Sequence, residues 1–240
     1  KKIIRLFRPE RNDLYQIAKK KNLGNVLMTH MIGCCPDLFF RAVKSRLFLI
    51  EIVRHPMHQV SHVVSYLSRF ENPREKTLSY KINEKKVPWF ELEEYYKLQN
   101  NFENLYDRAI EYLDYNYSKL WENLNLHKQN GSSVIEISFE ELALDSELVI
   151  SKLSKFLGRN TTQKTFRSLR RSKLPRENIH QGFGHKKYGW KQSSLNNKEF
   201  YLSCWEDIKK SATPIYQKKL LNLIRDYDTK YSSILKSYMP

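Results

Sequence analysis

The chain has 240 residues, 40% of them hydrophobic, with 42 Lys and Arg against 26 Asp and Glu and only 7 glycines. That length can bury a substantial core within one α/β domain spanning residues 1–240, and the scarcity of glycine excludes collagen-like and low-complexity classes. A formal net charge of +16 calls for anionic partners, and a phosphorylated cofactor, an acidic glycan, nucleic acid and a membrane surface all fit that description.

Taken in chain order, residues 13–20 form a short helical candidate, and Asn25 to His30 (NVLMTH) reads as a buried strand. Cys34 to Val43 looks like a loop passing into a short helix. Cys34, Cys35 and Cys204 give neither a disulfide framework nor a metal-site spacing, so a reduced, cytoplasmic compartment is expected. No apolar stretch approaches the length of a membrane span, and no signal peptide opens the sequence. The first residue is lysine, which fits a segment of a longer protein in which an upstream anchor is possible.

Leu47 to Val53 is an apolar run broken only by Glu51, as expected for a strand covered on both faces of a parallel sheet. Arg54 then stands at the strand's carboxyl end, where open α/β sheets bind ligands. Pro56 suits the first position of a helix whose unpaired amides would point toward an anion. The arginine adds a planar fork matched to phosphate oxygens, and Ser61 or Ser65 can add a hydroxyl donor. An ordinary strand–turn–helix with a surface ion pair is the plainer reading of the same residues. His55, His58 and His62 follow helical spacing but carry no pattern of metal ligands.

Pro73 to Pro88 is polar and loop-like, and Trp89 to Leu126 is helical and dense in aromatics and acids. Phe102, Leu105, Tyr106, Ala109, Ile110 and Leu113 fall on one helical stripe, which marks core. Val134 to Ser138 reads as another strand, followed by a helix from Ser146 to Leu157 that Gly158 ends. Lys173 to Gln192 gathers three of the glycines, at 182, 184 and 189, around His185, Lys186 and Lys187. Such a loop brings backbone and charge close to a ligand, or simply forms a flexible basic surface.

Four of these pieces, in this order, resemble the sulfotransferases that use 3′-phosphoadenosine 5′-phosphosulfate as sulfonate donor. Val26-Leu27-Met28-Thr29-His30 is similar to the family's strand ending in Lys-Thr-His, whose histidine is the base. Ile52-Val53-Arg54-His55-Pro56 with a downstream serine is similar to the strand and helix that hold the donor's 3′-phosphate. Ile137 to Leu142 and the helix ending Phe156-Leu157-Gly158 look like the family's Tyr-Glu-Asp segment, and Gly184 to Lys191 looks like its late basic loop.

The resemblance implies a P-loop-NTPase-like parallel sheet flanked by helices, with residues 73–126 as a helical region on the acceptor side. His30 would take the proton of an acceptor hydroxyl, with His180 and His185 as competing bases. Arg54, Ser61, Lys186, Lys187 and Gly189 would hold the 3′-phosphate. Trp89, Tyr95 and Tyr96 would be placed to stack on a sugar ring or a flat alcohol, although core packing is the plainer reading of most of these aromatics. No metal is implied, and the acceptor is a carbohydrate or small alcohol, for which an anionic glycan suits the charge. Nucleic acid and a membrane segment are not expected.

The chain departs from the pattern at several places. The family's Lys/Arg-Ser-Gly-Thr-Thr loop for the 5′-phosphosulfate is absent from these residues and would lie upstream in an amino-terminally truncated chain. Met28 replaces the family lysine, and the position of the expected serine holds His62, between Ser61 and Ser65. Two other readings explain the basic charge: a nucleic-acid-binding module, and a related nucleotide-binding scaffold without catalysis.

Overall fold

The computed structural model describes residues 16, 20, 26, 28, 32–43, 47–71, 79–82, 85–88, 102–181 and 194–231. The chain divides into two compact units, Lys1–Ile32 and Gly33–Pro240. In the first, Gln16 and Lys20 are helical and exposed. Val26 and Met28 belong to no regular element and are 94% and 93% exposed, which corrects the buried strand expected there. An apolar run becomes a buried strand only where a ladder takes its backbone groups and a second layer covers its side chains, and these two residues have neither.

The second unit begins at Gly33, within the 3-10 turn Ile32–Cys34, and its first α-helix is α1, Asp37–Val43. Strand β1, Phe48–Val53, runs parallel to β4, Ser133–Ser138, in the register Phe48↔Ser133 through Val53↔Ser138. The chain between them supplies helix α2, Pro56–Glu71, the hairpin β2, Ser79–Ile82, with β3, Lys85–Pro88, and the long helix α3, Leu105–Gln129. A connection of that length is what a parallel pair requires. After β4 come α4, Phe139–Leu144, α5, Ser146–Leu157, α6, Gln163–Arg171, α7, Asn197–Ser211, and α8, Pro214–Tyr231. The α/β class with parallel strands and flanking helices is thus present, with helix predominating.

Two expectations need correction. Residues 79–88 form an antiparallel hairpin rather than a loop, with Ser79 opposite Pro88 and Ile82 opposite Lys85. Tyr80, Ile82 and Val87 carry a period-two signal that the many lysines obscure. Strand β1 is also not covered on both faces. Leu49 and Val53 are buried, whereas Phe48, Ile50 and Ile52 on the opposite face are 46%, 36% and 50% exposed, with Phe48 edge-on to Phe156 of the helix 146–157.

That covered face meets a helical core. Met57, Val60, Val63 and Leu67 of α2 are buried against Ala109, Ile110, Leu113, Tyr117, Leu120 and Leu124 of α3; of the expected stripe, Ala109, Ile110 and Leu113 are inside and Phe102, Leu105 and Tyr106 half-buried. Helix α7 adds Tyr201, Trp205 and Ile208, and α8 adds Leu220, Leu223, Ile224 and Tyr227. Asn104 caps α3 by accepting the amides of Tyr106 and Asp107, both at 2.9 Å. Gly158 ends α5 in the left-handed region at φ 59°, as its glycine predicts.

Candidate functional site at the carboxyl ends of the parallel strands

Val53 and Ser138 are paired in register, so the residues that follow them, Arg54 and Phe139, leave the same edge of the strand pair side by side. The backbone there is held from several directions. The Tyr227 phenol lies 3.2 Å from the Val53 carbonyl, and the Arg54 carbonyl accepts from the Tyr117 hydroxyl and from Gln59. The His55 amide donates to Glu140 Oε1 at 3.0 Å. Glu140 is buried and also receives the Ser138 hydroxyl at 3.1 Å, with the Tyr227 hydroxyl at 2.7 Å. One carboxylate therefore ties the ends of both strands to helix α8.

The start of α2 differs from what the sequence suggests. Pro56 has no amide, the Met57 amide donates to His55 Nδ1 at 3.2 Å, and the His58 amide donates to the His55 carbonyl at 3.1 Å. His55 caps its own helix, so these amides are spent internally rather than offered to an anion. Anion recognition at this edge falls to side chains.

Those side chains are two arginines. The Arg54 guanidinium lies 5.2 Å from the Phe139 ring centroid, and Arg176 lies 5.7 Å from the same ring. The turn after α6 is fixed by the Arg176 amide donating to the Ala143 carbonyl at 2.7 Å, and an Arg176 Nη donates to the Ile179 carbonyl at 3.2 Å. The Nε atoms of both arginines are buried without a hydrogen-bond partner. Among the described residues neither guanidinium has a carboxylate within ion-pair distance. Burial, together with the positive charge of Arg54, lowers the pKa of Arg176 from its usual range. Two like charges held over one aromatic ring, with no counter-ion among the described residues, have the chemistry to take an anion.

Histidines line the inner side of this pair. His58 is buried, stacked on Phe200 at 5.3 Å, with no hydrogen-bond partner at either ring nitrogen. Burial pushes its pKa well down, and the charges of His55, Arg54 and His180 push in the same direction. The ring is therefore neutral in the folded protein at neutral pH. His55 Nε2 lies 3.4 Å from Asp228 Oδ1, out of line for a hydrogen bond. His180 is buried against Phe200 at 4.5 Å, deep beside His58 rather than on an open edge.

Of the residues singled out in the sequence, Arg54 is at the site. Ser61 and Ser65 are exposed on α2, and His62 between them is exposed with a pKa lowered by burial and by Arg54 and Arg69. His30, Lys186, Lys187 and Gly189 lie outside the described residues, as do His185 and residues 89–101. Glu140 is a buried anchor, and Glu141 pairs with Lys152. The residue missed was Arg176. It stands in Leu174-Pro175-Arg176 with no periodicity to mark it, and only the tertiary fold brings it to Arg54. Among the described residues no group of three His, Cys, Asp or Glu side chains is placed to hold a metal ion, and no helix is long and apolar enough to cross a membrane.

No protein-family model, curated protein or solved structure matches this chain. The chemistry of the site therefore has to be argued from its own residues. They offer a place for one oxyanion at the carboxyl ends of two parallel strands, the usual ligand edge of such sheets.

Proposed function

We propose that the chain is a sulfotransferase of P-loop-like architecture, moving a sulfonate group from 3′-phosphoadenosine 5′-phosphosulfate to a hydroxyl of a carbohydrate or small alcohol. The observation that carries this reading is the Arg54–Arg176 pair over Phe139, with both Nε atoms buried and unpartnered at the strand edge. A dianionic phosphate would supply the missing acceptors and the missing countercharge together. In this reading Arg54 and Arg176 grip the donor's 3′-phosphate, with Ser61 and the Lys186-Lys187-Gly189 loop completing its surroundings. His30 accepts the proton of the acceptor hydroxyl as that oxygen attacks sulfur. Charge that builds on the bridging oxygen is met by cations held in place beforehand. An anionic glycan suits the acceptor, and a cytoplasmic location suits three unbridged cysteines.

Calorimetric titration with adenosine 3′,5′-bisphosphate, in the protein with its complete natural sequence, tests the assignment. Binding should weaken by about 10- to 100-fold in Arg54→Ala and again in Arg176→Ala, the cost of losing a charge-assisted hydrogen-bonding partner. His30→Ala should abolish transfer while leaving that binding intact. Absence of binding in the wild-type protein, or no loss in Arg54→Ala, would overturn the reading.

A further inference from the structure

The positive charge of this chain is not spread evenly. Residues 148–176 contain nine cations, Lys152, Lys155, Arg159, Lys164, Arg167, Arg170, Arg171, Lys173 and Arg176, and no acid. More than half of the net +16 thus falls in 29 residues. The chain's preference for lysine does not explain the cluster, because 5 of its 15 arginines but only 4 of its 27 lysines lie there. Arginine is the cation whose fork matches sulfate, phosphate and carboxylate.

Helix α6 arranges these charges. At about 100° per residue, Arg170, Arg167, Arg171 and Lys164 fall within an arc of roughly 120°. All four are exposed, while Thr165 and Leu169 on the opposite side are half-buried. Among the described residues no carboxylate lies within ion-pair distance of Arg159, Lys164, Arg167, Arg170 or Arg171. The stripe continues into the candidate site. Leu174 donates its amide to the Leu169 carbonyl at 3.0 Å, and the turn so formed delivers Arg176 to the side of Arg54.

We propose that the outer face of α6 and its flanks is the docking surface for an anionic polysaccharide, which runs along the arginine stripe toward Arg176. A helix that inserts into a membrane surface needs a broad free apolar side, and here the helix carries two large apolar residues, Phe166 and a half-buried Leu169. Single-stranded nucleic acid needs a row of aromatic platforms, and Phe166, 39% exposed, is the one aromatic on this helix. A polysaccharide of repeated sulfates or carboxylates needs only spaced forks, and basic runs of this kind suit heparin-like chains. That this polysaccharide is also the acceptor rests on the sulfotransferase reading; the docking itself does not.

The test is titration of the full chain with a size-defined heparin octasaccharide over a range of salt. The combined variant Arg167→Gln, Arg170→Gln, Arg171→Gln removes exposed groups and leaves the core untouched. It should lose about tenfold or more in affinity and reduce the salt slope by roughly two to three, while bisphosphate binding stays unchanged. A control removing three exposed cations elsewhere, Lys198→Gln, Lys210→Gln, Lys218→Gln, should change affinity little. Unchanged affinity in the arginine variant, an equal loss in the lysine control, or a DNA duplex of the same length binding as tightly as the octasaccharide overturns the proposal. If the octasaccharide responds as expected but the bisphosphate does not bind, the sulfotransferase reading falls and the docking surface stands.

Discussion

Glu140 accepts from the His55 amide and sits within reach of two hydroxyls in a place with almost no access to water, so its removal leaves that buried amide without its acceptor and takes a shared partner from Ser138 and Tyr227. Glu140→Ala should destabilise the fold by about 3 kcal/mol, read as a lower urea midpoint. Glu51 is the opposite case. It faces Glu136 across the strand pair, and burial first, then that neighbouring charge, raises its carboxyl from 4.5 to about 7, against a smaller opposing hydrogen bond from Gly33. Between those values the folded chain keeps a proton that the unfolded chain releases, so stability falls as pH rises through that window. Glu51→Gln should remove that fall and gain on the order of 2 kcal/mol at pH 8, seen as a flatter plot of Tm against pH. His58 acts with the other sign. Its folded pKa is held well below 6.5, so acidification protonates the unfolded imidazole first and stability is lost as pH falls below that value. His58→Phe keeps the stack on Phe200 and should raise Tm at pH 5 relative to the parent protein. Equal Tm differences at pH 5 and pH 8 would exclude titration of His58 as the cause.

At the scale of elements, two glycines separate two kinds of constraint. Gly158 has φ 59° and nothing within 4 Å of where a Cβ would stand, so Gly158→Ala should cost only the backbone strain of about 1 kcal/mol, measurable by thermal melting. Gly33 has an ordinary φ, but a Cβ there would come within 2.3 Å of a Leu120 methyl and 2.8 Å of Glu51 Oε2. The first kind of constraint was legible in the sequence, since Phe156-Leu157-Gly158 reads as a helix end; the second required the packing of the 3-10 turn on α3 and β1. The same division runs through the site. Arg54 was legible because apolar periodicity places it at a strand end. Arg176 was not, because nothing local to Leu174-Pro175-Arg176 predicts a contact with the other side of the fold. The expected anion-binding amides of α2 failed for a local reason: His55 supplies an imidazole acceptor that the strand–Pro–helix pattern does not consider. Helix α7 carried an unread signal in Asn196 and Glu199, whose reciprocal hydrogen bonds at 2.9 Å form a capping box.

For the whole molecule, composition alone gave the magnitude of the charge but not its distribution. A protein that concentrates nine cations and no acid in 29 residues carries a local self-repulsion that salt screens. Raising ionic strength from about 0.02 to about 0.3 M should therefore raise Tm by a few degrees, and the Arg167→Gln, Arg170→Gln, Arg171→Gln variant should show a smaller rise. The parallel register of β1 and β4 is likewise a property of the whole unit. Periodicity marked both segments as strands, but their pairing depends on α2 and α3 packing between them in sequence and beneath them in space. The exposed Phe48, Ile50 and Ile52 show where the apolar run overstated its covering.

The phenol of Tyr227 reaches the Val53 carbonyl, Ser138 and Glu140 from helix α8. Its place late in the chain sets an order of events during synthesis. A ribosome that has emitted residues up to 213 has released both strands, both arginines and Glu140, yet not the phenol that anchors that junction to the last helix. The candidate site is consequently among the last features to become rigid, and a nascent chain stalled before α8 would expose the carboxyl edge of its sheet to chaperones.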